Sequence, residues 1–315
     1  MKIIKMILVT GSLAYDYIMD FPGKFAEHIL PEKIHMINVS FLVDQMIKNF
    51  GGTAGNISYS LSLLGVKVSL FGCVGKDFGP YKDFLKENEI ETKYLKVMED
   101  KYTTTGFGVT DKSDNQIWGF YQGADIHSDL LSVRSIREKI DFGIVSPQNP
   151  KAMNKFVCEY KEEQIPYLYD PGMQLPRLTN PELETGIRGA TILIGNDYEM
   201  TVMEKRLTNW KGLVEKKILI TTMAEKGVKI DYTGKSFTVN AAKAKSVCDP
   251  VGAGDAFRGG FMAGFMRNFS LPVCARMGAV AAVYTVEKYG TTTHKYTIED
   301  FCRRYKENYK ESLSL

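Results

Sequence analysis

Short runs rich in β-branched residues alternate with helix-like stretches along the first two thirds of the chain. This alternation predicts βαβ units, in which crossover helices connect parallel strands. The expected strands are apolar at almost every position, which is typical of a sheet covered by helices on both faces. They span residues 3–10, 66–72, 141–145, 166–170, 191–194 and 217–222, with helices at 55–64, 81–89, 152–163 and 198–206. The sequence therefore predicts an α/β fold of three layers, α/β/α, around a mostly parallel central sheet.

Two stretches interrupt this rhythm, and the last third of the chain changes character. Residues 21–50 carry two prolines and two histidines, and residues 93–123 alternate around a polar Ser-Asp-Asn turn that is typical of a β-hairpin. Helices of small residues are expected at 256–267 and 271–288, followed by a charged tail helix. The sequence shows no repeat and no linker, so we expect a single domain, 1–315, with a small β excursion.

Composition and charge exclude several classes of protein. The 315 residues include 40 Lys+Arg and 37 Asp+Glu, and a net charge of +3 gives no reason to expect nucleic acid as a partner. No apolar run reaches the ~18–20 residues of a membrane helix, and the start MKIIKMILVT is interpreted as a buried strand rather than a leader. Five scattered cysteines without a CxxC argue against disulfides and structural zinc. We expect a cytoplasmic protein without a membrane partner.

The strongest local motif is Asp249-Pro-Val-Gly-Ala-Gly-Asp255-Ala-Phe, followed by a helix of small apolar residues. Gly252 and Gly254 permit backbone geometry that larger residues avoid. The first amides of the helix have no partner within it and, with the helix dipole, form an anion site. A carboxylate at Asp255 is placed to take a proton from a hydroxyl that attacks a bound phosphate. The alternative is that Asp255 only stabilises the helix N-terminus and the glycines only make a turn.

Two further motifs carry polar groups at expected helix starts. The loop Gly51-Gly52-Thr-Ala-Gly-Asn56 lets a ligand approach the backbone, and the Asn56 amide both donates to and accepts from hydroxyl groups. The same residues are also explained as an ordinary loop before a helix. Asn196 and Glu199 lie one turn apart, where they would hold water around a magnesium–phosphate unit. The same spacing is that of a capping box, and both interpretations stay open.

Taken together, these motifs resemble the ribokinase-like (PfkB) carbohydrate and nucleoside kinases over essentially the whole chain. Residues 51–56, with Gly65 and Gly75, follow the first family motif, and DPVGAGDAFRGGFM at 249–262 follows the second. Asn196 and Glu199 look like the family's NxxE motif. The stretch from Thr222 to Gly227 resembles its TxGxxG nucleotide loop, with Ala224 in place of the middle glycine.

The resemblance implies roles for the acceptor and transfer groups. Asp255 is similar to the family's catalytic base. Asp16, which follows the first strand in GSLAYD, looks like the carboxylate that binds two sugar hydroxyls at once. The amides of Gly252, Ala253 and Gly254 resemble the anion hole, and the implied acceptor-binding residues are Asp16, Gly51, Gly52 and Asn56.

It also implies a nucleotide site and a lid. ATP is the implied co-substrate, and Glu199 would act on Mg2+ indirectly, through water. The segment MGAVAAVYTVEKYGTTTH resembles one wall of the adenine pocket and, in some members, a loop that binds K+; its His294 is interpreted as structural. The insertions, roughly 12–50 and 93–123, resemble the β lid that closes over the acceptor and excludes water. The implied ATP-binding residues are Asn196, Thr222, Gly227 and Gly254.

Within the family, the phrases FPGKF, EHILPEKIH, YDPGMQLP and YGTTTHKYT are most similar to bacterial and archaeal adenosine kinases. The expected reaction is therefore phosphorylation of the 5′-hydroxyl of adenosine, with a small-molecule nucleoside and ATP as partners of a monomer or dimer. A purine needs apolar walls. The lid offers five such side chains, each of which is also explained as lid core: Phe21, Phe41, Met46, Phe107 and Phe120.

Other functions remain as alternatives. A ribokinase- or fructokinase-like sugar kinase of the same family is the nearest, although a sugar-phosphate kinase would need extra Lys or Arg near Asp16. A catalytically idle nucleotide-binding regulator would lack Asp255 or the adjacent glycines, and both are present. A dinucleotide oxidoreductase is suggested by VTGSLAYD after the first strand but lacks GxGxxG.

Overall fold

A computed structural model describes residues 6–113 and 115–315 of the chain. The first three residues of the strand expected at 3–10, and Asp114 of the expected Ser-Asp-Asn turn, lie outside the described residues. In chain order the strands are β1 (Met6–Thr10), β2 (Ala14–Asp20), β3 (Gln45–Gly51), β4 (Lys67–Gly75), β5 (Glu91–Met98), β6 (Thr104–Thr110), β7 (Gln116–Tyr121), β8 (Phe142–Val145), β9 (Tyr167–Tyr169), β10 (Ile192–Asn196), β11 (Ile218–Thr222), β12 (Val228–Tyr232) and β13 (Lys235–Val239).

The helices begin where the sequence offers a cap or a proline. Asn149, Thr179, Asn196 and Thr297 each accept a hydrogen bond from an amide of the first helical turn, which satisfies a donor that the helix leaves free. The helices are α1 (Thr53–Leu63), α2 (Gly79–Glu87), α3 (Pro150–Glu162), α4 (Asn180–Gly189), α5 (Asp197–Arg206), α6 (Trp210–Val214), α7 (Ala253–Met266), α8 (Leu271–Val286) and α9 (Ile298–Tyr309).

Nine of the described strands form one large sheet in the order β13-β12-β11-β10-β9-β8-β1-β4-β5. The seven from β11 to β5 run parallel, and β12 and β13 add an antiparallel edge. Alternate residues of β1 show why its sequence is apolar throughout: Ile7 and Val9 belong to one hydrophobic core, and Met6 and Leu8 to the other. The expected three-layer α/β/α fold is confirmed.

A second sheet of four strands, in the order β3-β2-β6-β7, stands apart from the large one. Its β2–β3 and β6–β7 pairs are antiparallel, and β2 pairs with β6 in parallel. The second insertion is expected to start at residue 93, but β5 pairs in parallel with β4 because the two strands and α2 form a βαβ unit. The contribution of this insertion to the small sheet begins at Thr104.

The C-terminal helices pack as closely as their small residues predict. A Cβ at Gly260 of α7 would lie 2.6 Å from the Met277 carbonyl of α8, and one at Gly278 would lie 2.7 Å from the Phe257 ring. Only glycine allows the two backbones to approach so near. This packing fixes the direction of α7, whose first turn carries Asp255. In the described part of the chain, no helix has both the length and the apolar character needed to span a membrane.

Candidate active site

The polar residues singled out in the sequence converge at the carboxyl end of the parallel strands. Asn196 at the end of β10 is paired in register with Thr222 at the end of β11. In open α/β sheets this edge is where ligands bind. Two of the expected nucleotide-binding residues are therefore neighbours although 26 positions separate them in the sequence.

The start of α7 has the geometry that the glycine motif predicts. Gly252 is the N-cap, with a left-handed φ of 78°, and a Cβ there would lie 2.7 Å from Cγ2 of Thr291. The Ala253 amide donates to the Pro250 carbonyl at 3.2 Å because the chain turns back on itself there. Among the described residues, the amides of Gly252 and Gly254 have no partner. Of the three amides expected to bind an anion, these two are free.

Asp255 lies at the third position of α7 and is half-buried. Its Oδ2 accepts a hydrogen bond from Nδ2 of Asn56 at 2.8 Å, which joins α1 to α7. Burial raises the pKa of Asp255 to about 6, against the opposing effects of Arg258 and of the Asn56 hydrogen bond. A carboxylate with a pKa near neutral pH is suited to accept a proton and release it again. The other amide atom of Asn56, Oδ1, is buried and has no partner among the described residues.

Asp16 lies on β2 beside two glycines. It is paired in register with Gly106 of β6, where a Cβ would lie 2.9 Å from its Oδ1, and a side chain at Gly51 would collide with its Oδ2. No described residue donates a hydrogen bond to this carboxylate. Burial raises the pKa of Asp16 to about 6. The glycines thus leave room around a half-buried carboxylate that accepts no hydrogen bond within the described part of the chain.

Two aromatic rings share the sheet face that carries Asp16. Phe120 pairs in register with Gly106, and a Cβ at Gly106 would lie 3.1 Å from Phe120 and 3.2 Å from Trp118. The two rings are parallel, with centroids 5.5 Å apart. Phe120 is among the residues expected from the sequence and Trp118 is not, although Trp118 lies two residues away on the same strand and therefore on the same face.

The other apolar candidates of the lid do not line this face. Phe107 stacks on Tyr17, the residue after Asp16, with centroids 5.4 Å apart. Met46 pairs in register with Met19, three residues after Asp16, and so lies on the opposite face of the sheet. Both side chains therefore point away from the face that carries Asp16, because successive side chains of a strand point to opposite faces. Phe21 and Phe41 pack together, with centroids 4.8 Å apart, and form lid core.

A threonine loop after α8 joins the two glycine motifs. The hydroxyls of Thr291 and Thr292 donate to the Phe50 carbonyl at 3.1 and 3.2 Å, while Thr291 also contacts Gly252. His294, just beyond, is buried, and burial lowers its pKa to about 4, so the ring is neutral at pH 7. This agrees with its interpretation as structural.

The stretch from Thr222 to Gly227 makes a tight turn between β11 and β12. Gly227 has a φ of 93°, and a side chain there would collide with the Val239 carbonyl. Ala224 has a φ of 49°, a left-handed value that explains why the similar loops carry glycine at this position. The Thr222 hydroxyl contacts the Gly195 carbonyl at 3.5 Å.

Asn196 and Glu199 form the capping box that their spacing allows. Glu199 accepts from the Asn196 amide through Oε2, and Asn196 accepts from the Glu199 amide, both at 2.8 Å. Burial, and then the charge of Asp170, raise the pKa of Glu199. A capping role is therefore realised, and it leaves Oε1 of Glu199 free of the cap.

A buried ion pair that the sequence does not predict interacts with both Asp255 and Glu199. Arg258 Nε lies 2.6 Å from Asp170 Oδ2, and its Nη1 donates to the Gly254 carbonyl at 2.8 Å. Arg258 follows Asp255 by three residues, and this spacing on a helix is a signal that Arg258 is a neighbour of Asp255. Asp170 comes directly after β9, at the same edge of the sheet as Asn196.

Comparison with known proteins agrees with this arrangement. The family model described as pfkB family carbohydrate kinase matches residues 7–298. The chain belongs to the pfkB family. It is therefore a phosphotransferase that uses an alcohol group as acceptor, as this family's relatives are.

The pfkB-family relatives with solved structures cover almost the whole chain. The nucleoside kinase of Burkholderia thailandensis, in complex with inosine, superposes with a TM-score of 0.86 at 32% identity, over 97% of this chain and 99% of that one. The Methanocaldococcus jannaschii nucleoside kinase gives 0.87 at 28%, over 96% and 98%. A curated relative, the nucleoside kinase of Methanothermobacter thermautotrophicus, is 28% identical over 91% of each chain. A further Burkholderia structure is an ADP–inosine complex, which supports ATP as co-substrate.

Proposed function

We propose that this pfkB-family enzyme is a nucleoside kinase that transfers the γ-phosphoryl group of ATP to the 5′-hydroxyl of adenosine. One observation carries the proposal: the Asp16 carboxylate and the stacked rings of Trp118 and Phe120 meet over the same glycine, Gly106. A carboxylate without a protein partner suits a ribose diol, and a flat aromatic surface beside it suits a base. The similarity to three nucleoside kinases supports the same reading.

The proposed chemistry follows from the surroundings of Asp255. Asp255 takes the proton of the 5′-hydroxyl as that oxygen attacks phosphorus, and its pKa of about 6 keeps it ionised at neutral pH. Asn56 fixes the carboxylate through Nδ2 and offers its unpartnered Oδ1 to the acceptor. The free amides of Gly252 and Gly254 hold the charge that develops on the phosphoryl oxygens. Ala253 contributes its backbone conformation.

We assign the nucleotide to the edge formed by Asn196, Thr222 and Gly227, with Gly254 at the phosphate end. The described residues contain no group of three ligands able to hold a metal by themselves. This fits Mg2+ that arrives on ATP, because Mg2+ in such sites is bound mainly by phosphate oxygens and water. Glu199, through its free Oε1, is the acid proposed to hold those waters, and the ion would neutralise phosphate charge during transfer.

Three further assignments belong to the proposal. The small sheet acts as a lid of a single domain, with Gly51 and Gly52 beside the acceptor. The threonine loop at 290–293 is the proposed place for K+. The five cysteines are free, which supports a cytoplasmic protein.

The proposal is tested with purified protein, ATP and magnesium against a panel of nucleosides and sugars. We expect kcat/KM for adenosine to exceed that for ribose and fructose by at least ~10²-fold, or about 2.7 kcal/mol. Asp16→Ala should remove most adenosine turnover, because the ribose loses its charged acceptor, while ATP binding stays nearly unchanged.

The aromatic face provides a matched pair of variants. Trp118→Ala should lower kcat/KM for adenosine about tenfold or more and leave ribose turnover unchanged, because only the nucleoside has a base to stack. Phe107→Ala, on the opposite face of the same sheet, should change neither. A preference for ribose or a sugar phosphate over adenosine would contradict the proposal and favour a sugar kinase. A preference for inosine or guanosine would keep the nucleoside class and contradict only the choice of adenosine.

A further inference from the structure

The ion pair between Asp170 and Arg258 is buried beside the transfer site. Asp170 is 1% exposed and Arg258 is 7% exposed. Their closest atoms are 2.6 Å apart, and Oδ1 of Asp170 has no hydrogen-bond partner among the described residues. Burying two charges costs several kcal/mol per ion before their attraction is counted. A pair so placed is weak support for stability alone, and its position relative to Asp255 suggests another role.

Arg258 is fixed at both ends of its side chain. Its backbone is part of α7, one turn beyond Asp255. Its guanidinium donates to the Gly254 carbonyl at 2.8 Å and meets Asp170 on the loop after β9. The positive charge is therefore held within the first turn of the helix, where both Asp255 and the free amide of Gly254 lie.

Charged and polar groups on five elements interact with Asp255 or with Arg258. Asn56 on α1 donates to it, and Arg258 on its own helix is its one cationic neighbour among the described residues that affect its ionisation. Asp170 after β9 opposes its ionisation. Tyr81 on α2 feels the Asp255 charge, and Glu199 on α5 interacts with Arg258.

We propose that Arg258, held in place by Asp170, is a positioning residue that keeps the Asp255 carboxylate ionised for proton transfer, and that Asp170 sets how much of the Arg258 charge Asp255 experiences. The inference rests on the proposed function only in taking Asp255 as the base. Burial raises the pKa of Asp255, Arg258 lowers it and Asp170 raises it, with Arg258 the larger of the two opposing charges. The two partners therefore act on the base in opposite directions.

The test measures the acidic limb of the kcat–pH profile at saturating substrate, where the profile reports groups in the enzyme–substrate complex. Arg258→Met should move this limb up by about one pH unit, which is the low end of what a neighbouring charge does. Asp170→Asn should move it down, because a neutral amide no longer opposes ionisation and leaves more of the Arg258 charge to Asp255. Arg258→Lys keeps the positive charge, so its acidic limb should lie close to that of the wild type.

A purely structural pair predicts a different result. Arg258→Met and Asp170→Asn would then both lower the thermal stability and leave the acidic limb where it is, and that outcome overturns the proposal. Shifts of the limb in the same direction in both variants overturn it as well. Arg258→Met alone leaves a buried charge unpaired and can fail to fold. The double variant Asp170→Asn, Arg258→Met carries no buried charge, and its limb should move up by less than that of Arg258→Met; an unmoved or lowered limb overturns the proposal.

The pH profiles are measured with whichever alcohol the wild-type protein phosphorylates fastest. The test therefore remains valid if adenosine is not the acceptor. If wild-type turnover survives Asp255→Asn, the base assignment itself fails, and that result is obtained without any change at Arg258.

Discussion

Replacing Asp255 with asparagine is expected to make the protein nearly inactive and, at neutral pH, more stable. Asparagine has the shape of the aspartate and can still accept the hydrogen bond from Asn56, which spans 2.8 Å. It cannot take a proton, so kcat should fall by about 10²–10⁴. It also removes a half-buried charge, and the pKa of about 6 measures what its partial removal from water costs.

The size of the stability gain follows from this pKa. An aspartate has an ordinary pKa of 3.8, and burial raises it to about 6 in the folded protein. Between these values the folded state binds more protons than the unfolded state, so the free energy of unfolding falls as pH rises through this window. At about 1.4 kcal/mol per pH unit the penalty above pH 6 is about 3 kcal/mol. The value of about 6 already includes the opposing effects of the Arg258 charge and of the Asn56 hydrogen bond, so the expected gain at pH 8 is about 3 kcal/mol.

The assay is urea unfolding of wild type and variant at pH 8 and pH 4. The gain should be present at pH 8 and nearly absent at pH 4, where wild-type Asp255 is itself neutral. Asp111→Asn is the matched control with the opposite sign. Although burial opposes it, hydrogen bonds from the backbone of Phe25, Asn115 and Ser113 lower the pKa of Asp111 to about 2, so this variant should lose stability at pH 8. A destabilised Asp255→Asn at pH 8, or an equal gain at both pH values, would refute the reasoning.

Two further substitutions separate function from local structure. Glu199→Gln keeps a capping partner for Asn196, so the free energy of unfolding should change by less than ~0.5 kcal/mol. The Mg2+ concentration for half-maximal rate should rise several-fold. Identical magnesium curves with a lower melting temperature would mean that Glu199 only caps the helix. Ala224→Gly should stabilise the protein by about 0.5–1 kcal/mol in urea unfolding, because a left-handed φ costs an alanine roughly 1–2 kcal/mol and part of this is returned by the freedom of glycine in the unfolded chain. A loss of stability in that variant would contradict the reading of the 49° φ.

Six of the seven parallel strands could be predicted because each carries its own signal, an apolar run next to a helical stretch. The seventh, β5, has the sequence ETKYLKVM, whose polar residues are instead typical of the expected insertion. The edge hairpin of β12 and β13 could not be predicted, since its strands, VKIDY and KSFTV, are short and polar on one face. Their pairing is decided by the neighbouring β11 strand rather than by their own residues.

The site was predictable to the extent that its residues lie within motifs. Asp255 and Gly252 are found from local spacing, and the structure places them at one helix start as expected. The partnership of Asp170 with Arg258 joins residues 88 positions apart, and nothing local to either indicates the other. Whether Trp118 shares a face with Asp16 depends on the register between β6 and β7. The sequence does not fix this register, and a shift by one residue would move every side chain of β7 to the other face.

Under the proposed function, the acceptor is bound by the small sheet and the phosphates by the large one, which bears on how the range of acceptors can evolve. Asp16, Trp118 and Phe120 belong to the small sheet, whereas Asn196 and Thr222 end strands of the large one, and no strand is shared. If these proposed roles hold, a substitution in the small sheet reshapes the acceptor pocket without moving the groups that bind phosphate. Lineages that keep the large sheet and vary a few residues such as Gly106 or Trp118 can exchange one alcohol for another while the transfer chemistry stays under separate selection.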